Sequence, residues 1–72
     1  MTDLRLLAVV ALLEDWPAKG LKRGQVGTIV EILAPGVYEV EFSGGDGQTY
    51  AMAALRADQL MQLIHEPDYQ AA

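Results

Sequence analysis

Seventy-two residues without a cysteine make one domain that no disulfide or thiolate–metal site can brace, so it must use its apolar residues efficiently or share a surface. Ten acids against five cations, a net charge of −5, disfavour a nucleic-acid ligand, which needs several Lys and Arg on one surface, and favour a basic or apolar protein partner. Apolar residues and glycine together exceed the usual ~45–50% of a globular chain, and in so small a domain this surplus points to a homodimer or a protein partner.

Residues 4–13 form an apolar run far shorter than the roughly 20 residues that span a bilayer. Glu14-Asp15-Trp16-Pro17 follows it in place of the small-residue cleavage site of a secretory leader, so the run is expected to be core in a cytoplasmic protein, with no membrane partner. Its good helix formers, with Thr2 as a candidate cap, keep a helix open. Val9 and Val10 are β-branched, and Pro17 holds Trp16 extended, which favours a strand over residues 8–14. A loop with Pro17, Lys19, Gly20, Lys22 and Arg23 then crosses to Gly24, placed to supply a positive φ, and Gly27, placed to let another backbone come close.

The second strand is expected over residues 26–33, and Pro35-Gly36 makes the hairpin turn that follows. The third strand alternates cleanly, with Tyr38, Val40 and Phe42 on one face and Glu39 and Glu41 on the other. Ser43-Gly44-Gly45-Asp46-Gly47 is a hairpin loop, residues 49–53 a fourth strand, residues 55–60 a helical turn and residues 61–64 a short fifth strand. The predicted fold is all-β: a small five-stranded SH3-like barrel over residues 1–66, with one short 3₁₀ or helical turn before the last strand and a flexible tail over 67–72. Its predicted core is Val26, Val30, Ile32, Tyr38, Val40, Phe42 and Leu60.

Leu12-Leu13-Glu14-Asp15-Trp16-Pro17, then Gly20-Leu21-Lys22-Arg23-Gly24-Gln25-Val26-Gly27-Thr28-Ile29-Val30-Glu31, then Tyr38-Glu39-Val40-Glu41-Phe42 and the closing Asp58-Gln59-Leu60, together resemble a family of short bacterial proteins catalogued as a domain of unknown function. The resemblance covers about residues 7–63. It implies an SH3-like barrel and no activity. The chain departs from the usual pattern at Trp16, where a smaller aliphatic residue is common, and in its Ala-rich fourth strand. A second, shorter resemblance, over about residues 22–32, is to the KOW motif of ribosome-associated proteins.

Catalytic chemistry finds little to work with. The single serine, Ser43, and the single histidine, His65, lie far apart, and a nucleophile needs its base and orienting group gathered in one pocket. Glu14 and Asp15 are adjacent, which in a strand aims them at opposite faces, and no spacing suits a metal. Gly44-Gly45-Asp46-Gly47 lacks the lysine and the following helix of a phosphate loop. No enzyme activity, cofactor or metal is therefore expected.

The candidate partner contacts are an acidic stripe of Glu31, Glu39 and Glu41, formed if the register pairs them, and an aromatic group of Trp16, Pro17 and Tyr50. A solvated sheet face is the simpler reading of the first, and a plug in the open end of the barrel serves equally for Trp16. The expected function is a non-enzymatic protein-binding module, the small acidic partner of a larger protein in the manner of an antitoxin or accessory subunit. The alternative is a KOW-like RNA- or ribosome-associated module using the loop of Lys19, Lys22 and Arg23, which can otherwise serve only to keep a strand edge soluble.

Overall fold

The computed structural model describes residues 4–64. Five antiparallel strands form one sheet: β1 (Val9–Leu12), β2 (Val26–Ala34), β3 (Val37–Ser43), β4 (Thr49–Arg56) and β5 (Leu60–Gln62), in the order β4-β3-β2-β1-β5. β4 and β5 are the two ends of the ladder, so the sheet is not closed. The described residues contain two 3₁₀ turns and no α-helix, and no helix among them is long and apolar enough to cross a membrane. The expected tail at 67–72, and His65, lie outside the described residues.

Local chemistry accounts for the connections. Trp16 and Leu21 exchange backbone bonds of 2.8 and 3.0 Å, closing the first loop around a 3₁₀ turn at Pro17–Lys19. Proline suits the start of that turn, where its missing N–H is no loss. Gly24 then adopts φ +92°, a conformation L side chains rarely take, and its N–H donates to the Leu12 carbonyl at 2.7 Å to bring β2 alongside β1. In the second hairpin loop Gly44 N–H donates to the Gln48 carbonyl (2.9 Å) and Gln48 N–H to the side-chain Oδ1 of Asp46 (3.0 Å), so backbone and side chain together close the loop.

The turn after β4 is shorter than expected. Leu55 and Arg56 continue the strand, Leu55 fully buried opposite Tyr38, and only Ala57–Gln59 turn before β5. The gain from burying Leu55 on the strand decides its place, because a solvated helical turn would leave it exposed.

Phe42, Leu12, Leu21, Ile29, Leu55, Val10 and Val40 are the large side chains fully enclosed in the core. Tyr38, Val40 and Phe42 are buried as the alternation predicts, and Leu60 is buried as expected. β2 departs from expectation. Val26 and Ile32 are about half exposed, at 46% and 48%, and Val30 is half-buried, while Gly27 and Ile29 face the core. Gly27 pairs with Phe42 and Ile29 with Val40, which places these two odd positions at the start of β2 on the core side. A bulge between Ile29 and Glu31 takes Val30 out of the ladder. Beyond it β2 outruns β1, which pairs only with Val26, Gly27 and Thr28, so Ile32 has Tyr38 opposite and, among the described residues, no strand on its other side.

Candidate functional site

The bulge in β2 also decides where the acidic side chains meet. Glu31 pairs directly with Glu39, and Glu41, two residues on, shares that face and pairs with Thr28. Glu39 and Glu41 are half-buried, and Glu31 is exposed. Like charges directly opposite on neighbouring strands repel. No Lys or Arg among the described residues forms an ion pair with any of the three; the ion pair found there joins Arg56 Nε to Asp58 Oδ1 at 3.0 Å. The same face continues into β4, where Ala54 lies beside Glu39 and Met52 beside Glu41. Two transverse rows result, Glu31–Glu39–Ala54 and Thr28–Glu41–Met52.

The aromatic candidates lie around the first loop. Trp16 is half-buried and packed against the core cluster, and Pro17 is exposed beside a shallow depression of about 300 Å³ shared with Asp15, Gly20, Leu21 and Lys22. Tyr50 is half exposed, its ring centroid 6.4 Å from that of the buried Phe42 and tilted by 42°. Its hydroxyl accepts a hydrogen bond from Gln25 Nε2 at 3.2 Å, and Gln25 Oε1 accepts one from the Lys22 N–H at 2.6 Å. Tyr50 is thus tied to the end of the first loop through Gln25. No ring contact joins it to Trp16 among the described residues.

The structure therefore divides the six candidate residues between two places. Glu31, Glu39 and Glu41 share the outer face of β2 and β3, whereas Trp16, Pro17 and Tyr50 lie about the first loop, Trp16 packed against the core and Tyr50 bonded to Gln25. Lys19, Lys22 and Arg23 project from that loop, and the Arg23 N–H donates to Asp15 Oδ1 at 2.9 Å, which sets a carboxylate among them. Sequence reasoning does not align Met52 and Ala54 with the glutamates. Only the β3–β4 register supplies that alignment.

The family model described as a domain of unknown function, DUF4926, matches residues 6–62. The chain belongs to this family. The DUF4926 match runs from just before β1 to the last residue of β5 and takes in all six candidate residues. Comparison with curated proteins and with solved structures gave no match.

Proposed function

We propose that this DUF4926 protein is a non-enzymatic protein-binding module, the small acidic member of a complex with a larger basic protein. The observation that carries the reading is the in-register Glu31–Glu39 pair with Glu41 beside it, carrying three carboxylates on one sheet face and no paired cation among the described residues. Such an arrangement costs a free domain stability, and a cationic partner surface relieves that cost. Complementary charge also raises the rate of encounter and rejects acidic partners. Within this reading the domain is an SH3-like barrel: the strand order, the long bulged β2 and the 3₁₀ turn leading into β5 support it.

The test replaces Glu31, Glu39 and Glu41 together by Gln, which keeps shape and removes charge. A partner retained from native lysate at low salt by the parent protein should be lost by the triple variant, with the variant's thermal unfolding unimpaired. A partner held equally well by both proteins overturns the reading.

A further inference from the structure

The outer side of β4 has the means to take up another strand. The Ala57 N–H donates to the Gly36 carbonyl at 2.9 Å, in register with the Tyr38–Leu55 and Val40–Ala53 pairs. Antiparallel alternation then directs the backbone groups of Ala51, Ala53 and Leu55 toward β3 and those of Met52 and Ala54 away from it. The next outward N–H, that of Arg56, is already taken by Gln59 Oε1 at 2.8 Å. Met52 and Ala54 have no hydrogen-bond partner on that side among the described residues.

Proteins usually blunt such an edge with proline, lysine, a bulge or an inward charge. Residues 51–55 have none of these, and the irregularity in the β3–β4 ladder falls earlier, between Phe42 and Ser43. The opposite end of the sheet, β5, offers only three residues.

The charge beside this edge specifies its occupant. Glu39 and Glu41 lie one strand inside Ala54 and Met52 on the same outer face. A strand added outside β4 would sit about 4.8 Å away, with its outward side chains about 10 Å from those of β3. A Lys or Arg opposite Ala54 or Met52 spans that gap, its apolar stem lying over the alanine or methionine and its charge meeting the glutamate. A second copy of β4 in the register that sets Met52 opposite Ala54 would leave the glutamates without a cation, and the register that sets Arg56 opposite Met52 would use a residue whose N–H already bonds Gln59 Oε1 and whose Nε is paired with Asp58.

We propose that β4 binds an extended, basic segment of a partner protein by antiparallel strand addition, with Lys or Arg at alternate positions over Glu39 and Glu41. This rests on the acidic-face reading and adds to it a backbone-mediated mode. The mode is strand augmentation, in which main-chain bonds hold the segment and alternate side chains select it.

The probe is an alternating Lys-Val peptide of about ten residues, long enough to cover the edge. Two controls accompany it: an alternating Glu-Val peptide, and the Lys-Val peptide N-methylated at its lysine amides, the groups that would face β4. Amide exchange is followed residue by residue in the intact protein. The Lys-Val peptide should bind and slow exchange at Met52 and Ala54 by about tenfold or more, and methylation should weaken binding by a similar factor. The Glu-Val peptide should not bind. Ala54→Pro should abolish binding, and the methylated peptide tests the same backbone bonds without altering the protein's fold.

Binding that depends on the glutamates but leaves Met52 and Ala54 exchange unchanged, or that tolerates methylation, overturns strand addition and leaves the acidic-face reading standing. Failure of the Lys-Val peptide to bind at all overturns strand addition too, while the glutamate triple variant still tests the broader reading against native partner. Concentration-dependent protection of those two amides without peptide would assign the edge to a second copy and overturn the basic-segment proposal.

Discussion

Gly27 shows how much one absent side chain decides. A Cβ at this position would lie 2.6 Å from Val40 Cγ1 and 2.9 Å from the Glu41 carbonyl oxygen, closer than real contacts allow. One of those obstacles is backbone, so the strand pair itself would have to separate. Gly27→Ala should lower stability by about 1–3 kcal/mol, toward the upper figure because the ladder between β2 and β3 must shift. Urea unfolding measures it, and a change under half a kcal/mol would mean the strands do not approach this closely. Leu7 presents the opposite case. It holds φ at 67°, where its Cβ is strained, yet its side chain is 74% exposed and contributes little to the core. Its N–H donates to the Ile29 carbonyl at 2.7 Å, a bond that fixes the turn into β1 and does not depend on the side chain. Asn tolerates the left-handed region, so Leu7→Asn should stabilise by about 0.5–1 kcal/mol. A loss of stability in the same unfolding assay would show that the leucine packs against something.

Strand by strand, legibility followed periodicity. β3 was readable because its polar and apolar residues alternate, and Tyr38, Val40 and Phe42 are buried as that pattern requires. β2 was not, because it is apolar at nearly every position from Val26 to Val30, so both phases suit the pattern equally. Assigning Val26 and Val30 inward put the larger side chains in the core and discounted Gly27, which has none. Space beside Phe42 and Val40 reverses that choice, and such space is a property of the packed sheet that no local pattern encodes. The bulge at Val30 was equally invisible, yet it brings Glu31 opposite Glu39, so the acidic surface depends on an irregularity that only the pairing reveals. Turn positions fared better: Gly24 and Pro35-Gly36 were recognisable from residue type because turn chemistry is local. The Glu31–Glu39 pair carries a prediction at this scale. Glu31→Lys replaces repulsion with attraction and should raise stability by about 0.5–1 kcal/mol at low salt, with the gain shrinking in molar salt. The same substitution should weaken capture of a basic partner. A stabilised variant that still captures the partner fully would separate the repulsion from the function.

For the whole molecule, the distribution of charge discriminates between a protein and a nucleic acid as ligand. The one basic group, Lys19, Lys22 and Arg23, sits on the first loop, and the carboxylates of Glu14 and Asp15 are exposed on the same loop, Asp15 bonded to the Arg23 backbone. Three cations can release few counterions: the salt slope for a single strand would be only about −2, and non-specific affinities of this kind are weak at physiological salt. The three glutamates across β2 and β3 add a long-range field of the wrong sign. Backbone recognition of RNA would require this loop to prevail over a net charge of −5. It would also need aromatic faces for stacking, and Tyr50 is held by Gln25 while Trp16 is packed against the core. A gel-shift titration with single-stranded and structured RNA should therefore show no complex at micromolar protein in physiological salt. A submicromolar, salt-sensitive complex abolished by Lys22→Ala with Arg23→Ala would establish that the first loop binds RNA despite its acidic surroundings, and would make the KOW-like reading the better account of this domain.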